Sequence, residues 1–170
     1  MAITRIGPNQ SINLASNITG TLATGNGGTG ATSFAPGKVL QVVTAKDTTE
    51  RNTTSTSFVT ASNGLSVNIT PSATSSKVYV IVSTAVYNSA DKAAFLTIYK
   101  ASTNLGNSNG LIRTIVAGSA AGGSSTCSIL DSPSSTSQIT YQVYVKTDSG
   151  GTLYLNANTP GTITAFEIAG

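Results

Sequence analysis

Few residues in this chain can do chemistry. The sequence contains no histidine, which removes the Ser-His-Asp triad, the Cys-His pair and any imidazole-ligated metal. Its carboxylates are Asp47, Glu50, Asp91, Asp131, Asp148 and Glu167. Two-carboxylate hydrolysis needs a pair held about 5–10 Å apart across a cleft. All of these acids except Glu167 fall in segments that read as loops or linkers, where Ser and Gly neighbours favour turn-making bonds from side chain to backbone. Asp91, Asp131 and Asp148 could meet calcium, but no acidic ligand series of the kind calcium loops use surrounds them. Cys127 is the single cysteine, so there is no internal disulfide and the residue reads as a small core side chain. The six tyrosines offer broad area with a polar tip, which suits sugar or protein contact as well as sheet packing.

GNGGTG at 25–30 satisfies the G-x-G-x-x-G spacing of a pyrophosphate cradle through Gly25, Gly27 and Gly30. That mechanism needs a hydrophobic strand before the glycines and a helix after them. NITGTLAT precedes them and ATSFAPGK follows, with Pro36 and Gly37 stopping any helix. No nucleotide or other cofactor is expected, and the glycines need another role.

Composition limits what can position these groups. Charged residues make up 9% of the 170-residue chain, against about 25% in an ordinary domain, and Ser, Thr, Gly and Asn fill the polar positions instead. The net charge of +3 comes from nine cations and six anions spread singly, so the clustered basic face of a nucleic-acid partner is missing. No apolar run approaches the length of a membrane span, and MAITRIGPNQ lacks a signal-peptide core, so cytoplasmic synthesis without membrane insertion is expected.

The chain divides into two parts. In residues 1–36 the aliphatics Ile3, Ile6, Ile12, Leu14, Ile18 and Leu22, with Arg5 among them, are scattered through Gly, Asn, Ser and Thr. They cannot enclose a core alone. Extended at about 3.3 Å per residue, such an arm reaches on the order of 115 Å, which suits an anchor or stalk. In residues 37–170 short apolar runs alternate with turn clusters. Strands are expected at 38–44, 57–61, 65–70, 77–87, 94–100, 111–117, 126–130, 139–147, 152–158 and 162–169, with no helical period. That spacing indicates an all-β antiparallel sandwich or barrel.

The runs are of two kinds. LSVNIT and TLYLNAN alternate and read as solvent-facing strands. VLQVV (39–43), VYVIV (78–82), YQVYV (141–145) and ITAFEI (163–168) are apolar on both faces, as in strands covered on both sides. We expect these four in one sheet whose outer face packs on other subunits of a homo-oligomer. The candidate interface is Val39, Val42, Tyr79, Ile81, Tyr141, Tyr144, Phe166 and Ile168.

GTLATGNGGTGATSF resembles a segment recurrent in tail-fibre and other virion fibre proteins of bacteriophages, particularly those of marine and freshwater bacteria. PGKVLQVV, STSFVTASNGLSVNITPSATSSKVYVIVS, LDSPSSTSQITYQVYVKT and ITAFEIAG resemble the globular head that often follows it. The resemblance implies a head like the trimeric jelly roll of C1q and tumour necrosis factor, with one sheet facing a threefold axis. It implies a virion surface protein made in a bacterial cytoplasm, its partners being two further copies of itself and a capsid, tail or baseplate protein gripped by the arm. GNGGTG then becomes a stalk-to-head joint, where glycine lets three backbones approach closely. A host surface glycan is a candidate ligand for the loops STNLGNSNG (102–110), GSAAGGSS (118–125) and DSPSSTS (131–137), through Asn104, Asn107, Asn109 and Asp131. Typical tail fibres carry a longer adaptor and shaft, so a short head fibre or surface decoration is expected ahead of a receptor-binding tail-fibre tip. The rivals are a polysaccharide depolymerase, which would need a carboxylate pair formed between chains, and a cellular lectin-like adhesion module, which the missing secretion signal disfavours.

Overall fold

The computed structural model describes residues 38–60, 62–89, 92–115 and 121–170. They form strands β1 (Val39–Asp47), β2 (Arg51–Thr53), β3 (Ser66–Ile69), β4 (Lys77–Asn88), β5 (Ala93–Lys100), β6 (Thr103–Asn104), β7 (Ile112–Ile115), β8 (Ala121–Asp131), β9 (Ile139–Thr147), β10 (Leu153–Leu155) and β11 (Gly161–Ile168). No helix occurs among the described residues. The arm candidates Ile3, Arg5, Ile6, Ile12, Leu14, Ile18 and Leu22 and the GNGGTG segment lie outside the described residues.

Two antiparallel sheets result. In the first, β11 joins β1 to one edge of β4. Further along that edge β10 replaces β11 and carries β2, while β8 lines the opposite edge of β4 along most of its length. In the second, β9 lies between β3 and β5, and the far edge of β5 is shared by β7 and β6. The nested pairs β1 with β11, β3 with β9, β4 with β8, and β5 with β6 and β7 are the wrapping of a jelly roll. The expected all-β jelly-roll sandwich is therefore the fold.

Period-two patterning explains how the sheets meet. Along β4, Val78, Val80, Val82, Thr84 and Val86 are buried while the residues alternating with them are partly or fully exposed. β-branched side chains suit this pleated, one-sided burial. The valines pack against Ile163, Ala165, Leu153 and Leu155 of the same sheet and Leu96, Ile98, Val143 and Val145 of the other. Cys127 sits opposite Val82 within this core, where burial pushes its thiol up to about 12. It is the inert core side chain its isolation suggested.

Three sequence expectations need correction. YQVYV lies in β9 of the second sheet, not beside the other doubly apolar runs. Of the strand expected at 57–61, the described residues 57–60 form none; Val59 makes one antiparallel bridge to Val145. The supposed turn GSAAGGSS includes residues 121–125, which are already β8, pairing with residues 84–88 of β4. Glycine and serine are tolerated there because a sheet-edge strand is held by its backbone on one side.

Candidate functional site

The outer face of the first sheet is built from the residues between the buried ones. Across it runs one cross-strand row in register: Val42 opposite Phe166, Phe166 opposite Tyr79, and Tyr79 opposite Leu130. Val42 is 54% and Leu130 51% exposed, and the Tyr79 and Phe166 rings lie 6.3 Å apart between them. Val39, opposite Ile168 and 57% exposed, extends this surface. In the next row Thr44, Thr164, Ile81 and Ser128 align, with the Thr44 and Thr164 hydroxyls 3.0 Å apart. Four strands thus present one unbroken apolar row toward solvent, bordered by a row that is mostly hydroxyl side chains, and exposed apolar surface of this kind marks an interaction site.

Six of the eight interface candidates, Val39, Val42, Tyr79, Ile81, Phe166 and Ile168, are brought together here. Tyr141 and Tyr144 are not. Tyr141 is fully buried, facing the interior from β9. Its hydroxyl donates to Asp131 Oδ2 at 2.6 Å. Burial, and then the bond and charge of Asp131, push its phenol pKa up, so it stays protonated. Tyr144 points out of the second sheet and stacks on Tyr99 at 3.9 Å between ring centroids. The cause is register: β9 belongs to the other sheet, and neighbouring residues on a strand face opposite sides.

Among the loop candidates, the side chains of Asn104, Asn107 and Asp131 make hydrogen bonds within the chain. Asn104 Oδ1 accepts from Thr97 Oγ1 at 2.6 Å and from the Gly106 amide at 2.9 Å, while its Nδ2 donates to the Asn107 carbonyl at 3.0 Å. Asn107 Oδ1 accepts from the Asn109 amide at 2.7 Å. These bonds bind residues 104–110 to themselves and to β5. Asp131 accepts from Lys100 Nζ at 3.0 Å as well as from Tyr141, latching the end of β8 to both strands. Asp148 Oδ2 accepts from the Ala93 amide at 3.2 Å. Asp47 is buried and accepts from Ser62 Oγ and the Thr49 amide, with Arg51 Nε at 3.6 Å. Burial raises its pKa but these donors outweigh it, leaving the carboxyl below its ordinary value. Among the described residues no three His, Cys, Asp or Glu side chains cluster as metal ligands; Asp91 lies outside them.

Sequence reasoning overlooked two features. Glu167 is fully buried at the end of β11, where Oε1 accepts from Ser72 N and Ser72 Oγ, both at 2.6 Å, and Oε2 accepts from Gln41 Nε2 at 2.6 Å. The alternation of ITAFEI, which puts Glu167 on the face of Ala165, was the signal for it. The second is a pair of outward tyrosines, Tyr87 and Tyr154, directly opposite on β4 and β10 with ring centroids 5.3 Å apart.

Fold and surface define a class: a jelly-roll domain whose first sheet carries a row of apolar side chains facing solvent. No protein-family model and no curated protein matches the chain. Solved structures of infectious bursal disease virus overlap it loosely. The Gt strain structure gives a TM-score of 0.34 at 16% identity over 76% of this chain and 38% of that one. The T13 viral particle gives 0.34 at 16% over 78% and 36%, and the Gx strain structure 0.35 at 18% over 93% and 42%. The chain spans well under half the length of each.

Proposed function

We propose that this is a non-enzymatic structural protein of a bacteriophage particle, a homotrimer held to the virion by residues 1–36 and exposing the jelly roll outward as a short fibre or decoration. The observation that carries the assembly is the Val42, Phe166, Tyr79 and Leu130 row. Burying it against other copies stabilises the assembly by about 25 cal/mol per Å² of apolar area. A closed ring covers such a row on every copy. The virion setting is supported by the resemblance of residues 20–34 and the head segments to phage fibre proteins. Of the acids that could have argued for hydrolysis, Asp47, Asp131 and Asp148 are bonded to the chain's own turns and strands.

Electron cryomicroscopy of particles made with and without the protein tests this reading. Extra density at capsid vertices, facets or tail is expected, and it should vanish when residues 1–36 are deleted. Identical particles in both preparations, or attachment that survives the deletion, would overturn it.

A further inference from the structure

We propose that the groove at the far end of the same sheet face binds a neutral hexose unit of a glycan. On β4, Tyr87 stands eight residues beyond Tyr79, about 26 Å at 3.3 Å per residue. The groove is therefore well separated from the apolar row. Two adjoining hollows of about 330 and 360 Å³ share Tyr87, Ala157 and Asn158, within the size range of small-ligand sites. Tyr87 and Tyr154, inclined at 63°, form aromatic walls. The negative ring faces complement the weakly positive C–H faces of a pyranose.

The rest of the lining fits the same ligand. Ala85, Gly123 and Ser124 leave the floor low; a Cβ placed on Gly123 would meet no atom within 4 Å. Glu50 and Asn158 supply a carboxylate and an amide, an acceptor and a donor–acceptor for sugar hydroxyls. Glu50 carries the only charge among the described lining residues, which disfavours uronic acids, sialic acids and phosphates. The wall bearing Asn158 is held in place from beneath. Buried Asn156, at φ 59°, accepts from Thr84 Oγ1 at 2.9 Å and donates through Nδ2 to the Thr49 carbonyl at 3.1 Å. Such support lowers the ordering cost of binding. Biologically the proposal rests on the virion reading, which gives the exposed head a host surface to meet; its geometry does not.

The test is titration of the full chain with glucose, galactose, N-acetylglucosamine and glucuronic acid, followed by NMR of the protein. At least one neutral sugar is expected to bind with a dissociation constant on the order of 1 mM, and glucuronic acid at least about tenfold more weakly. Tyr154→Ala should lose about tenfold or more in affinity at unchanged native mass, and Glu50→Gln should narrow the discrimination against glucuronic acid. Absence of saturable binding by all three neutral sugars would overturn the proposal, as would equal binding by Tyr154→Ala. A Tyr154→Ala variant of lower native mass, in a protein that binds no sugar, would make the groove a subunit contact instead. None of these outcomes depends on where the protein sits on a particle, so the virion reading stands or falls separately.

Discussion

Tyr141→Ser is expected to destabilise the jelly roll by about 3–5 kcal/mol, the range for removing a large buried aromatic. The side chain is fully buried between the sheets, so truncation leaves a cavity that the surrounding strands can close only in part. It also removes the donor that holds Asp131 Oδ2, leaving that carboxylate with Lys100. Tyr141→Phe keeps the ring and loses the hydroxyl, at about 1–2 kcal/mol. The gap between the two variants, read from urea midpoints at unchanged slope, separates packing from hydrogen bonding. A Tyr141→Ser protein as stable as the wild type would mean that the residue does not face the core.

Glu167→Gln is expected to cost about 2–4 kcal/mol at neutral pH and to remove part of the acid sensitivity of the fold. Burial alone would raise the pKa of this carboxyl, but the donors of Ser72 and Gln41 outweigh it and hold the group at about 2, against an ordinary 4.5. Because the folded value lies below the unfolded one, the stabilisation is fully present above pH 4.5 and is lost as pH falls toward 2. A glutamine amide would turn its own N–H groups toward those donors. Unfolding midpoints of both proteins between pH 7 and pH 3 check this: the difference should shrink as the wild type loses its advantage. Parallel curves would show that Glu167 does not titrate across that window.

Much of the architecture was legible because alternation survives in the strands that build the core. β9 appears at the boundaries expected for ITYQVYVKT, β4 runs one residue longer at its end, and β11 is shifted by one residue at each end. The short strands were not legible. β2 is RNT, three polar residues that become a strand only because β10 offers them an edge, and the first half of β8 is written in turn residues that β4 overrides. The interface candidates divided for a related reason. Val42, Tyr79 and Phe166 lie on strands that register side by side, whereas two-sided apolarity in YQVYV reflects one face in the core and one covered by Tyr99. Periodicity shows that a strand has two occupied faces; it does not show what occupies the outer one. Tyr87 and Tyr154 are close only because β10 follows β11 along one edge of β4, a pairing no local pattern encodes.

The central claim is that copies of this chain close on the outer face of the first sheet. Its most direct test is the native mass in solution of the wild type and of the double variant Tyr79→Ser, Phe166→Ser, two half-exposed positions whose truncation leaves the core intact. The wild type should run at three times the 17.1 kDa chain mass, unchanged at about 1 M salt because apolar contacts are not screened. The double variant should fall to a folded single chain. A wild type that is monomeric at all concentrations, or a double variant that keeps the threefold mass, would contradict the assignment of this face.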